Sequence, residues 1–166
     1  MKVQVFMLKQ DDPAKCTAAK LIKFGLATQV RKTIHATVVL HPFAEKTVLK
    51  KDKDLVDSIT AVDCSWELAQ KVFARNFLGF SRKLPPLLAG NPVNYAKIGK
   101  LTTAESIAAT LFIMGLDDQA QEILNKFKWG HTFFELNQDL LKDYSSAETE
   151  ENISEISHDY GIMPVF

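Results

Sequence analysis

Asp63 closes the apolar run Ile59-Thr60-Ala61-Val62 and is followed by Cys64, Ser65 and Trp66. A carboxylate at a strand end beside an indole is placed to be partly desolvated, and such a group can act as a general base or pair with a cationic ligand. Capping the helix that follows is the other reading, and residue type alone leaves both open. Cys64 has a nucleophile's chemistry, but His35, His41, His131 and His158 form no dyad spacing with it, so a packed thiol is the simpler account. Trp66 either borders a ligand or fills the core, while Tyr95, Trp129 and the phenylalanines read as core more than as stacking platforms. Downstream lie Leu84-Pro85-Pro86-Leu87-Leu88-Ala89-Gly90-Asn91-Pro92-Val93-Asn94-Tyr95 and Lys100-Leu101-Thr102-Thr103-Ala104-Glu105-Ser106. Proline, glycine and asparagine give the backbone tight, non-repeating geometry, and here they stand between a strand-like run and a strong helix. That concentration suggests a site, not a hinge.

The elements that must position these residues follow from spacing. Met1 to Leu8 alternates like a strand and stops before Asp11-Asp12-Pro13, which cannot continue it. Cys16 to Gly25 reads as a helix capped by Thr17, whose free amides suit a carboxylate or phosphate, although an ordinary cap is the commoner use. Ile34 to Leu40 and Ile59 to Val62 read as strands, with the charged loop Lys50 to Asp54 between them, and Trp66 to Phe77 has helical spacing. Leu84 to Ala89 is a candidate short strand. Helices are expected over Ala104 to Met114, Asp117 to Phe127 and Thr132 to Tyr144. Ser145 to Phe166 is either a loose acidic arm or a segment that docks back. The order of elements implies an α/β layer fold, with Asp63 at the carboxyl end of its strand, where open α/β sheets bind ligands.

With 166 residues, 46% hydrophobic, the chain can bury a core of ordinary domain size. No run reaches the roughly 18 apolar residues of a membrane span, and the start lacks a signal peptide's apolar centre, so a soluble, cytoplasmic protein with reduced thiols is expected. Without Cys-x-x-Cys or His-x-x-x-His there is no sequence support for a metal, and no Gly-x-Gly-x-x-Gly or P-loop is present. The formal net charge of zero conceals a split. Residues 1–100 carry 17 Lys and Arg against 8 Asp and Glu, and residues 101–166 carry 3 against 12. Lys20, Lys23, Arg31, Lys32, Arg75, Arg82 and Lys83 belong to the basic half, which suits an RNA-binding face, or else the two halves simply attract each other.

Several blocks are recognisable as a set: Asp12-Pro13-Ala14-Lys15-Cys16-Thr17, Val62-Asp63-Cys64-Ser65-Trp66, Arg82-Lys83-Leu84-Pro85-Pro86-Leu87, Asn91-Pro92-Val93-Asn94-Tyr95, Lys100 to Ser106, and Phe127-Lys128-Trp129-Gly130. In order, they resemble the motifs of the small-subunit (16S/18S) ribosomal RNA aminocarboxypropyltransferases, in an archaeal-type member, over residues 1 to about 144. The resemblance implies an α/β fold with a SPOUT-like knotted C-terminal domain at residues 51–166 and a smaller N-terminal α/β lobe at 1–50, the boundary being soft. It implies transfer of the 3-amino-3-carboxypropyl group of S-adenosylmethionine to N3 of a modified uridine, pseudouridine or N1-methylpseudouridine, in small-subunit rRNA or its preribosomal particle. A monomer is implied.

By the same resemblance, Thr17 through its amide and Thr103 through its hydroxyl hold the donor carboxylate. Backbone at Val62 binds the ribose, backbone at Leu84 and Gly99 binds the adenine edge, and Trp66 helps bury the methyl group. Asp63 faces the donor amino group and helps take the N3 proton. Ala96 departs from the family's usual glycine, Gly99 from a bulkier residue, and Leu49-Lys50-Lys51-Asp52 is a weak form of a Ser-Pro-x-Asp segment. The first residues also resemble a region once considered metal-binding in a ribosome-recycling ATPase, but without its cysteine pairs, so no metal is expected. The alternatives are a SPOUT-type RNA methyltransferase and a non-catalytic RNA-binding ribosome-assembly factor.

Overall fold

The structure is a computed structural model and describes residues 1–8 and 15–163. The turn residues Asp11, Asp12 and Pro13, Ala14 of the first motif block, and Phe166 lie outside the described residues. Among the described residues five strands form one sheet: β1 (Lys2–Met7), β2 (Thr28–Val30), β3 (Thr37–Leu40), β4 (Ser58–Asp63) and β5 (Phe80–Arg82). Their spatial order is β2-β1-β4-β3-β5 and every pairing is parallel. All strand carboxyl ends therefore open on one side, where the strand order also reverses, at β1 and β4. The division expected near residue 50 crosses this sheet, since β1 to β3 precede it, β4 and β5 follow it, and β4 lies between β1 and β3.

Alternation along the strands assigns the two faces. Val3, Val5, Val38, Leu40, Ile59 and Ala61 enter the main core, covered by α1 (Thr17–Lys23) and α3 (Thr103–Ile113). On the other face Gln4, Thr37 and Thr60 join in a hydrogen-bonded polar chain, and Phe6 and Val62 pack towards a smaller cluster built on α2 (Ala69–Phe73). Nine of the eleven residues of α3 are buried, the mark of a central helix enclosed on all sides. It packs against α1, β4, α4 (Asp117–Leu124) and α5 (Gly130–Ser146). Full burial of Ile107, Leu111 and Ile113 contributes about 1.5–3 kcal/mol each. A side chain at Gly90 would overlap the backbone of Phe133, so glycine lets the proline-rich loop lie directly on α5.

Several sequence expectations are corrected. Cys16, not Thr17, caps α1: its sulfur accepts from the Ala19 amide at 3.3 Å. Leu84 to Ala89 is not a strand, because Pro85 and Pro86 cannot supply ladder amides; the edge strand is β5, just before them. The short polar strand β2 carries no apolar signal and is held in strand form by pairing with β1. The helix expected from Trp66 to Phe77 is a 3-10 turn, Trp66–Leu68, followed by α2. Lys50–Asp54 is a 3-10 turn, not a loop. The acidic C-terminal stretch docks back as α6 (Glu150–Asp159), burying Ile153 and Ser157, with Ser157 hydrogen-bonded to the buried Tyr144 hydroxyl at 3.0 Å.

Candidate active site

A cleft of about 300 Å³ opens at the carboxyl ends of β3, β4 and β5. Five of the residues singled out for the donor line it: Val62, Trp66, Leu84, Gly99 and Thr103. The other two, Thr17 and Asp63, are tied to the same corner. Thr103 Oγ1 donates its one proton to Asp63 Oδ1 at 2.8 Å, and the Ala104 amide donates to Thr17 Oγ1 at 3.2 Å. Asp63 is the last residue of β4 and is 6% exposed, yet both its oxygens accept hydrogen bonds, the second from the Cys16 thiol at 3.3 Å. The starts of α1 and α3 thus converge on the end of β4. Burial pushes the Cys16 thiol up from its usual value; the Ala19 amide opposes this and the neighbouring Asp63 carboxylate adds to it, so the thiol stays protonated and able to donate.

The loop forming one wall is held from below by Glu105. Its carboxylate, fully buried, accepts from the amides of Gly90, Asn91 and Thr102 and from the Asn91 side chain, at 2.6–2.9 Å. With the Thr102 hydroxyl receiving the Glu105 amide, this closes a capping box at the start of α3. Gly99 sits at φ 72° and its amide donates to Leu87 O at 2.9 Å, so any further hydrogen bond from its backbone falls to the carbonyl. Ala96 sits at φ 58°, left-handed backbone that an L residue adopts at a cost. Ala96→Gly should raise unfolding stability by about 1 kcal/mol, read as an increased urea midpoint at unchanged slope.

Trp66 lies half-buried at the cleft edge with the Lys100 ammonium 4.7 Å from its ring centroid. This answers the open question of whether it borders a cavity or fills the core: it borders the cavity, and it also packs against the α2 cluster. Cys64 lines the cleft and is in no disulfide. His41, which sequence reasoning left unassigned, also lines it; its Nδ1 accepts from the Phe43 amide at 3.2 Å, so Nε2 carries the proton and donates to Phe73 O at 3.1 Å. Glu150 and Ser154 of α6 contribute to the opposite rim, and Glu150 accepts from the Thr47 amide at 2.6 Å. The apolar spacing of Ile153 and Ile156 was the sequence signal for this docking.

The seven basic candidates do not form one patch. Arg31 and Lys32 follow β2 and Lys83 follows β5, at opposite edges of the sheet and so about 19 Å apart at 4.8 Å per strand. Lys20 and Lys23 occupy the last turn of α1, which runs back between two parallel strands, so they lie towards the amino ends, away from the cleft. Arg82 lines the cleft but is already paired. Its guanidinium grips Asp52 through both Nε and Nη2 at 3.0–3.2 Å, with only 12% of its side chain exposed, and its Nη1 donates to Ser81 O. Lys83 remains at the cleft and Arg75, exposed, follows α2.

A family model described as "Ribosome biogenesis protein, C-terminal" matches residues 38–161. The 16S rRNA aminocarboxypropyltransferase of Methanothermobacter thermautotrophicus is 43% identical over 166 residues, with 94% of this chain and 96% of that one covered. The chain belongs to this family. The 16S rRNA aminocarboxypropyltransferase of Saccharolobus solfataricus is 42% identical over 161 residues, covering 96% of this chain and 95% of its own. Among solved structures, the SAM-dependent rRNA:acp-transferase from Vulcanisaeta distributa superimposes with a TM-score of 0.88 at 33% identity, covering 97% of this chain and 89% of that one. That superposition covers the α/β architecture with its parallel sheet described above.

A second family model, "Possible Fer4-like domain in RNase L inhibitor, RLI", matches residues 1–33. An iron-sulfur cluster takes about four cysteine thiolates. Residues 1–33 contain one cysteine, Cys16, and its sulfur already caps α1 and donates to Asp63, so the donor set does not fit a cluster.

Proposed function

We propose that this chain transfers the 3-amino-3-carboxypropyl group of S-adenosylmethionine to N3 of a modified uridine, pseudouridine or N1-methylpseudouridine, in small-subunit rRNA. The observation that carries this reading is the convergence of Val62, Trp66, Leu84, Gly99 and Thr103 on one cleft beside the buried Asp63, in a chain of this family. The cleft suits such a donor chemically. Leu84, Pro85, Leu101 and Trp66 offer apolar walls to a base and a methyl group, and Asp63 offers a carboxylate to an ammonium. When bound, the donor supplies a sulfonium flanked by three electrophilic carbons, and the one presented to the nucleophile reacts.

The residues then divide the work by position. Backbone at Val62 takes the ribose, backbone at Leu84 and the Gly99 carbonyl take the adenine edge, and the Thr17 amide takes the donor carboxylate. Thr103 has one hydroxyl proton, which points at Asp63 in this structure. Turning that proton to the donor carboxylate frees Asp63 Oδ1 to accept from the donor ammonium. Asp63 is also the group placed to help accept the N3 proton as the new N–C bond forms and the C–S bond breaks. The apolar packing of Trp66 covers the methyl carbon, so that carbon is withheld from the acceptor.

The resemblance carries finer readings with it: a SPOUT-like knotted path within residues 51–166, a monomer, and a cytoplasmic rRNA or preribosomal particle as substrate. Arg75 and Lys83 are the basic residues best placed to meet that RNA. Reversing both charges should weaken RNA binding and lower the slope of log affinity against log salt by about 2, and an unchanged slope would remove them from the interface.

Paired transfer assays test the reaction, using small-subunit RNA from a strain lacking this protein with donor labelled in its carboxyl carbon or in its methyl. Carboxyl label alone entering RNA is the expected result. Methyl label alone would make the chain a methyltransferase, and neither label with RNA still bound would favour an assembly factor.

A further inference from the structure

We propose that Cys16 is a positioning residue for Asp63, holding one carboxylate oxygen fixed while the other exchanges partners at the donor site. The inference rests on the reading above that Asp63 meets the donor ammonium. Of the two oxygens, Oδ1 is held by the Thr103 hydroxyl, whose proton must turn away for the donor carboxylate to be bound. Oδ2 is held by the Cys16 thiol, which has no such competing duty. Without it, Asp63 would keep neither of these two side-chain donors, the ones it has among the described residues, at the moment it must be oriented.

The thiol is itself locked. Cys16 is 7% exposed, and its sulfur accepts from the Ala19 amide at 3.3 Å, so turning the sulfur away from Asp63 would uncap α1. Accepting from that amide leaves the S–H free to point at Oδ2, and a protonated thiol is the form that donates. The two residues stand 47 positions apart in the chain and meet because β1, whose carboxyl end leads to α1, pairs with β4 over its whole length. A sulfur is a weak donor, so its part here is geometric: it selects one orientation of a carboxylate that is almost without solvent.

Donor affinity by equilibrium dialysis with labelled S-adenosylmethionine, and single-turnover transfer, test this in a double-mutant cycle. Cys16→Ala should weaken donor binding and slow transfer about fivefold, Cys16→Ser should recover most of both, and in an Asp63→Ala background Cys16→Ala should change neither by more than about twofold. An equal loss from Cys16→Ala in both backgrounds would reduce Cys16 to a helix cap, and no loss in the wild-type background would overturn the proposal outright. Should Cys16→Ala fail to fold, Cys16→Asp keeps a strong cap but sets a second carboxyl group against Asp63, which must compete with it for charge and for the donor ammonium. It should fold and bind donor at least tenfold more weakly; wild-type affinity would overturn the proposal. A wild-type protein that binds no donor sinks the transferase reading and this inference together, whereas donor binding that depends on Asp63 without coupling to Cys16 sinks the inference alone.

Discussion

Asp63→Ala should lower transfer from saturating donor by about 100-fold or more, in addition to weakening donor binding by about 10- to 100-fold. The two numbers come from different duties. General acid–base assistance contributes typically 10²–10⁴-fold to a rate, and a hydrogen-bonded charge partner for an ammonium is worth about 1.5–3 kcal/mol of binding. Burial sharpens both, because a carboxylate with 6% exposure acts in a medium that screens poorly. The substitution leaves the Thr103 hydroxyl and the Cys16 thiol without this acceptor, but each hydrogen can swing about its own Cβ–O or Cβ–S bond with the heavy atom in place, so the protein should still fold. Dialysis with labelled donor and single-turnover transfer separate the terms. Equal losses in both would restrict Asp63 to holding the donor and leave the N3 proton to solvent.

Glu105→Ala should cost about 4–6 kcal/mol of unfolding free energy, measured as a fall in urea midpoint. Four N–H donors end on this one carboxylate, inside a site with no exposure. An unsatisfied buried donor costs about 1–3 kcal/mol, and a lost cap on α3 adds about 1. A domain is stable by only about 5–15 kcal/mol, so the variant should be close to unfolding. Where it does fold, donor binding should fall as well, since Gly90 and Asn91 at one end and Thr102 at the other anchor the loop that carries Gly99 to the cleft. A loss under about 1 kcal/mol would mean that water replaces the carboxylate and that the loop is held by its other contacts. That result would also reduce the capping box at the start of α3 to a minor contribution.

The two substitutions differ in how far the sequence announced them. Asp63 was legible because a carboxylate at the end of an apolar strand is conspicuous. Glu105 was visible only as part of a motif block, because its four partners include an amide from a loop fourteen residues away whose path no local pattern describes. Arg82 shows the opposite failure. It reads as a surface cation, yet it grips Asp52 across 30 residues, and charge counting cannot tell a paired guanidinium from a free one. The split of charge between halves gives no spatial arrangement either, since chain order is not spatial order: β2 and β5 carry their basic neighbours to opposite sheet edges.

By itself the sequence determined the α/β class, the long helices and, through its motif blocks, the family. These depend on local periodicity and on side-chain chemistry, which are properties of short stretches. Tertiary structure alone decided the rest. It made a strand of Thr28–Val30, docked the acidic tail as α6, and gave the α1 cap to Cys16 in place of Thr17. It also closed Cys16, Asp63 and Thr103 into one hydrogen-bonded group. The physical reason is common to all four. Each state is selected by partners distant in the chain, through burial and hydrogen bonds that exist only once the parallel sheet has brought those partners together.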